Sequence, residues 1–156
     1  MSQQILKMKD ITKRFAGILA LDHVQFSCNR GEVHILAGEN GAGKSTILKI
    51  LAGIYKPDEG EIFFNNKKVN IKNPEQAQKL GIAMVFQELT LIRELSVAEN
   101  IYLNIEPKNK LGLIDRKAVN KQLNAAMDKY GIYLEPDEIV GNLPIAKQQL
   151  VEILKI

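Results

Sequence analysis

The segment with the clearest capacity for chemistry is a stretch in which three glycines precede a lysine and two hydroxyl residues. It comprises Gly38, Glu39, Asn40, Gly41, Ala42, Gly43, Lys44, Ser45 and Thr46. The spacing fits G-x-x-x-x-G-K-[ST], a loop that wraps a phosphate chain with backbone N–H groups. Glycine allows this close approach because it has no Cβ. Lys44 would reach the β- and γ-phosphates, and the Ser45 hydroxyl would hold Mg²⁺.

The residues on either side of this loop predict the elements that must position it. Residues 32–37 are mostly apolar and predict a short buried strand. After Lys44, apolar residues recur with the i, i+3, i+4, i+7 spacing of an amphipathic helix. They are Ile47, Ile50, Leu51 and Ile54. Strand, glycine loop and helix in this order favour phosphate binding over an ordinary glycine-rich turn.

Further strands are predicted on both sides of the loop. Residues 5–15 and 19–28 alternate in part and predict two antiparallel strands, and residues 60–69 predict a hairpin with asparagines at its turn. The continuous apolar run 82–86 predicts a strand buried on both faces. Together with residues 32–37 it would form a parallel core. Gln87 follows at the carboxyl end of this strand, where open α/β sheets bind ligands.

From about residue 90 onward the chain is predicted to be mostly helical. Ser96 with Glu99 forms a potential capping box, and Asp115 would cap a helix that runs to about Tyr130. The apolar face of that helix is predicted at Val119, Leu123, Ala126, Met127 and Tyr130. An earlier helix would start at Asn73-Pro74, and a last one near Pro144 or Ala146.

Composition restricts the class of protein. The 156 residues suffice for one domain with a hydrophobic core, and 46% hydrophobic with 25% charged residues is ordinary for a globular protein. The net charge of +3 comes from scattered residues, so no basic block predicts a nucleic-acid groove. The single cysteine, Cys28, allows no disulfide within the chain and suits the cytosol. We find neither a signal-peptide pattern nor an apolar run near the ~20 residues of a membrane span.

Several stretches, in order and spacing, resemble the nucleotide-binding subunit of an ATP-binding-cassette (ABC) transporter. Residues 11–15 are similar to the segment whose last residue, here Phe15, stacks on adenine. Phe86-Gln87-Glu88 resembles the Q-loop, whose glutamine contacts Mg²⁺ and the attacking water. Residues 143–147 stand in the place of the signature motif, which contacts ATP bound by a partner cassette. This signature segment consists of Leu143, Pro144, Ile145, Ala146 and Lys147.

The resemblance is closer to the ATPases of bacterial simple-sugar importers of the ribose, galactose and xylose type. It implies an α/β P-loop NTPase core with an antiparallel β subdomain and a helical subdomain. Residues 1–156 would be the N-terminal part of the nucleotide-binding domain of the first of two cassettes. Within it, residues 1–89 would form the β subdomain and P-loop core, and residues 90–156 the helical subdomain up to the signature helix.

The same resemblance implies ATP and Mg²⁺ as cofactors, with Ser45 and Gln87 contacting the metal. It implies membrane permease subunits and a second ATP-binding cassette, in the same or a fused chain, as partners. A sugar-binding protein would act indirectly, and no nucleic acid is expected. The subunit would lie peripherally on the cytoplasmic face of the plasma membrane and couple ATP hydrolysis to sugar import.

Two departures from the family pattern qualify these expectations. Pro144 replaces the signature serine, and Ile145 and Ala146 replace its glycines. The chain also reaches Ile156 before the family's Walker B strand, its water-polarising glutamate and its switch histidine. It therefore resembles a fragment without catalytic carboxylates, and on its own we expect it not to hydrolyse ATP.

Two other functions remain open at this point. A cassette that binds nucleotide without hydrolysing it is favoured by the altered signature segment. A soluble ABC-type ATPase of translation or DNA repair is the other alternative, although the absence of a basic stretch counts against it.

Overall fold

The computed structural model describes residues 3–86 and 88–155. The chain divides into two compact units, Met1–Ala83 and Met84–Ile156. Among the described residues, the first unit contains a sheet and two helices, and the second is helical. None of the helices in the described ranges combines the length and apolar composition needed to cross a membrane.

An antiparallel sheet of order β2-β1-β3-β4 organises the first unit. Its long strands β1 (Gln4–Phe15) and β2 (Ile18–Asn29) confirm the predicted pair. The strands β3 (Glu59–Phe64) and β4 (Lys67–Val69) confirm the predicted hairpin. Its turn residues, Asn65 and Asn66, both have positive φ (49° and 61°), as a two-residue hairpin turn requires.

Helix α1 (Lys44–Leu51) packs its predicted apolar face into a core shared with this sheet. Ile47 and Ile50 are buried, and Leu51 is half-buried. Ile54, predicted to continue this face, lies beyond the end of the helix and is 36% exposed. The other core residues are Leu6, Met8, Ile11, Leu21 and Ile62. Helix α2 (Pro74–Lys79) begins after Asn73, whose side chain accepts a hydrogen bond from the Gln76 N–H, so the predicted cap is confirmed.

The two predicted strands of the parallel core are not formed within the described residues. Residues 32–37 and 82–86 carry no helix or strand. Val33 is 90% exposed and Phe86 is 41% exposed, whereas both were expected to be buried. An apolar run becomes a buried parallel strand only when neighbouring strands pair with it. The sheet among the described residues is antiparallel and includes neither segment.

In the described part of the second unit, residues 84–86 and 88–155, three helices and one 3₁₀ turn surround an apolar core. The helices are α3 (Val97–Tyr102), α4 (Arg116–Tyr130) and α5 (Ile145–Leu154), and the 3₁₀ turn is Val140–Asn142. Side chains from all these elements meet, and several are fully buried. The fully buried apolar residues are Val97, Leu123, Val140 and Val151.

Local signals in the sequence set the ends of these helices. Ser96 and Glu99 form the predicted capping box, and bonds from Ser96 lower the pKa of the Glu99 carboxyl. Asp115 accepts a hydrogen bond from the Ala118 N–H, as predicted for a cap. Tyr130 departs from the prediction because it is 62% exposed. It is the last residue of α4, where Gly131 turns the chain with a φ of 64°.

Candidate functional site

The glycine-rich loop has the backbone shape that its sequence predicts. Gly38, Gly41 and Gly43 have φ values of 153°, 90° and 81°, respectively. Gly43 is the left-handed N-cap of α1, so the loop leads directly into the helix. Residues 37–42 are exposed, and the loop N–H groups and the helix N-terminus together suit an anion.

Gly43 also packs closely against strand β2. A Cβ atom at this position would lie 2.6 Å from Leu21 Cδ2 and 2.8 Å from the Ala20 carbonyl oxygen. Such distances are too short for a side chain to be accommodated without displacement of the strand. Only glycine therefore lets β2 support the loop from behind, and sequence spacing alone did not reveal this contact.

The Lys44 side chain folds back over the start of the loop. Its Nζ donates to the carbonyl oxygens of Gly38 and Glu39, each at 2.6 Å. The loop thus holds its own cation, and the predicted contact of Lys44 with the β- and γ-phosphates stays a prediction. Ser45 is exposed in the first turn of α1, and Thr46 is half-buried.

Phe15 is held at the end of β1 with part of its ring accessible. It is 36% exposed, and its ring packs edge-to-face against Tyr55 with a centroid separation of 5.0 Å. The Lys13 ammonium lies 5.5 Å from the Phe15 centroid and forms a 2.7 Å ion pair with Asp58. The Arg14 N–H donates to the other Asp58 oxygen at 2.7 Å. A fixed, partly accessible ring can serve as a stacking platform.

Asp58 anchors this end of the strand through both its side chain and its backbone. Its own N–H donates to the Thr12 carbonyl at 2.9 Å. The hydrogen bond from Lys13 holds the pKa of the Asp58 carboxyl below its usual value. The carboxylate therefore remains charged at neutral pH, and the position of residues 12–15 is fixed at several points.

The residue predicted for the Q-loop, Gln87, lies outside the described residues. Its neighbours Phe86 and Glu88 are exposed. Within residues 3–86 and 88–155, no three His, Cys, Asp or Glu side chains are grouped so that they could hold a metal ion. A hydroxyl such as that of Ser45, together with phosphate oxygens and water, is instead the usual donor set for Mg²⁺ bound to a nucleotide.

The signature segment surrounds the N-terminus of α5. Leu143 is buried in the core of the second unit, and its carbonyl accepts a hydrogen bond from Gln148 Nε2 at 2.8 Å. Pro144 is the N-cap and has no side-chain capping bond. The remaining residues of the segment, Ile145, Ala146 and Lys147, are exposed. The segment is accessible, but Pro144 offers no N–H or hydroxyl to a phosphate.

The sequence did not single out Glu152 and Asn100, two polar residues that the structure buries in the second unit. Glu152 in α5 is 7% exposed and accepts hydrogen bonds from Thr90. Asn100 in α3 is fully buried and bonds to both backbone groups of Ile92. In the sequence, each of these polar residues stands within an apolar helical pattern, which is a signal for a buried polar group. The spacing of residues does not reveal which group each one bonds to.

Comparison with known proteins identifies the class to which this loop and fold belong. The family model described as ABC transporter matches residues 21–156. The chain belongs to the ABC transporter family. Two solved structures, a nucleotide-free ATP-binding cassette and an ATP-binding cassette in its ADP conformation, each superpose with a TM-score of 0.82 at 30% identity. The two superpositions include 98% and 99% of this chain, respectively. In each case they include 64% of the solved structure's chain. The predicted ABC ATPase-like fold class is thereby confirmed.

Curated relatives place the chain near one branch of this family. It is 48% identical over 151 residues to a putative ribose/galactose/methyl galactoside import ATP-binding protein of Agrobacterium fabrum, covering 97% of this chain and 29% of that protein. It is 46% identical over 151 residues to a ribose import ATP-binding protein of Rubrobacter xylanophilus, covering 97% of this chain and 30% of the relative. The chain thus spans about 30% of the length of these relatives.

Proposed function

We propose that the protein containing this chain is the ATP-binding subunit of a simple-sugar importer. ATP binding and hydrolysis by the full-length protein would drive the sugar through a membrane permease. The observation that carries the proposal is the glycine loop that ends in α1, with the Lys44 ammonium held at its start. The sugar class comes from the import functions named for the relatives from Agrobacterium fabrum and Rubrobacter xylanophilus.

The residues of the loop fit ATP with Mg²⁺. Backbone N–H groups of residues 38–46 would bind phosphate oxygens, and the Lys44 ammonium would leave the Gly38 and Glu39 carbonyls to contact the β- and γ-phosphates. Ser45 would hold Mg²⁺ together with Gln87, and the ion would neutralise charge on the phosphates. Phe15 would stack on adenine. Steady-state hydrolysis by the full-length protein, compared between wild type and Lys44→Ala, tests the proposal.

The stacking role of Phe15 gives a modest but specific expectation. Phe15→Ala should weaken ATP binding several-fold, because stacking on an aromatic ring contributes on the order of 1 kcal/mol. Phe15→Tyr and Phe15→Trp should retain affinity, since each keeps a ring face. Equilibrium titration with ATP–Mg²⁺ measures the difference. If Phe15→Ala and Phe15→Tyr bind ATP with the same affinity, the role of Phe15 is to pack against Tyr55, and another group contacts the adenine.

The remaining partners and boundaries are part of the same proposal. Permease subunits, a second cassette and, indirectly, a sugar-binding protein would complete the importer at the cytoplasmic face of the membrane, with no nucleic acid involved. Residues 1–89 would contribute the β subdomain and P-loop core. Residues 90–156 would contribute the helical subdomain, in which the signature segment contacts ATP held by the second cassette.

A cassette that binds nucleotide without hydrolysing it, at one of the two ATP sites, is the second candidate, and Pro144 favours it. Pro144 caps α5 without any donor, so the site facing the signature segment would lack a phosphate contact. Replacing residues 144–146 by Ser-Gly-Gly should raise ATP turnover of the full-length protein. The single change Pro144→Ser separates the contribution of the N–H and hydroxyl at position 144 from that of the two glycines. An unchanged or lower rate with Ser-Gly-Gly would show that this segment does not limit hydrolysis.

A further inference from the structure

Glu152 places a buried carboxylate on a helix that otherwise buries apolar side chains. In α5, Val151 is fully buried, and Leu150 and Leu154 pack partly buried against the same core. The Glu152 Oε1 atom accepts hydrogen bonds from the Thr90 N–H and, at 2.9 Å, from the Thr90 hydroxyl. An apolar residue would fill this position without the cost of burying a carboxylate. The choice of an acceptor indicates a task beyond filling the core.

Thr90 belongs to a segment that side chains hold in place. Residues 88–95 contain no helix or strand. Asn100 accepts from the Ile92 N–H at 2.8 Å and donates to the Ile92 carbonyl at 2.9 Å. The same short segment is therefore bound by α5 at Thr90 and by α3 at Ile92. Since α3 and α5 share one apolar core, the segment and both helices form a connected assembly.

We propose that Glu152 is a positioning residue for ATP hydrolysis, which ties residues 88–92 to the helix that begins at the signature segment. This inference rests on the proposed function, because it requires that the signature segment contact nucleotide. Pro144 caps the N-terminus of α5, and Glu152 lies about two turns further along the same stiff helix. A displacement of Thr90 is thereby transmitted to Pro144. Neither Thr90 nor Glu152 belongs to the phosphate loop, so we expect loss of this contact to change kcat more than KM for ATP.

The experiment measures ATP hydrolysis by the full-length protein in membranes with its permease. Glu152→Gln keeps the shape of the side chain, but a neutral amide oxygen accepts weaker hydrogen bonds than a carboxylate. We expect kcat to fall roughly fivefold while KM for ATP stays within about twofold. Because loss of folded protein also lowers the apparent kcat at constant KM, kcat is expressed per ATP-binding site, counted by titration with ATP–Mg²⁺ in the same preparation. Thr90→Val should lower kcat in the same way, and Thr90→Ser should retain the wild-type value.

Two comparisons decide whether loss of the contact between Glu152 and Thr90 causes the decrease in kcat. Glu94→Gln, which removes an exposed carboxylate from the same segment, should leave kcat unchanged. The double variant Glu152→Gln/Thr90→Val should lose clearly less than the sum of the two single variants, because both changes weaken the same contact between Glu152 and Thr90. Wild-type kcat in Glu152→Gln, or additive losses in the double variant, would overturn this inference alone. A wild-type protein that does not hydrolyse ATP would overturn the proposed function and this inference with it.

Discussion

Lys44→Ala is expected to lower the affinity of the full-length protein for ATP–Mg²⁺ by about a hundredfold or more, which corresponds to roughly 2.7 kcal/mol. Its Nζ is the side-chain cation bound to the start of the loop, at the Gly38 and Glu39 carbonyls. Removing it takes away the charge that would meet the β- and γ-phosphates. It also removes two bonds that hold the loop in shape. Equilibrium titration with ATP–Mg²⁺ measures the loss.

Two further variants separate charge from other effects of this substitution. Lys44→Met keeps most of the apolar stem but loses the ammonium, so it should bind ATP about as weakly as Lys44→Ala. Lys79→Ala removes the same charge from an exposed lysine in α2, which pairs with Glu75 on the surface. It should bind ATP like wild type. An affinity of Lys44→Ala within a factor of two of wild type would refute the assignment of this loop.

Gly43→Ala is expected to destabilise the protein by roughly 3 kcal/mol, from overpacking and backbone strain together. The new Cβ would lie 2.6 Å from Leu21 Cδ2, at a φ of 81° that alanine rarely adopts. Either α1 or β2 must then move, so ATP binding should be lost as well. Urea unfolding gives the change in the free energy of unfolding, and nucleotide titration gives the change in affinity.

Gly41→Ala is the matched control for this prediction. Gly41 lies in the same loop with a similar φ of 90°, but a Cβ there would meet nothing within 4 Å. Only backbone strain remains, which costs about 1–2 kcal/mol. Equal destabilisation by the two alanine variants would show that the contact between Gly43 and β2 does not matter to the fold.

The features that the sequence predicted correctly are those that local chemistry determines. The turn at Asn65 and Asn66, the capping box at Ser96 and the cap at Asp115 each involve groups within a few residues of one another. The start of α1 at Lys44, directly after the glycine loop, belongs to the same class, because Gly43 and the first turn of the helix are neighbours in sequence. Phosphate binding by that loop stays a prediction.

The features that the sequence did not reveal depend on distant partners. The apolar runs 32–37 and 82–86 look like buried strands, but a strand forms only where another strand pairs with it. Glu152 and Thr90 are 62 positions apart, so no spacing rule joins them. The close contact between Gly43 and Leu21 likewise arises only after β2 and α1 have packed together.

Reconstitution of the full-length protein with its permease in liposomes tests the importer proposal most directly. With sugar-loaded binding protein present, we expect Mg²⁺-dependent ATP hydrolysis together with uptake of a simple sugar such as ribose or galactose. Lys44→Ala should abolish both, and Lys79→Ala should preserve both. Sugar uptake that proceeds without ATP, or that is unchanged by Lys44→Ala, would contradict the proposal that this loop powers import.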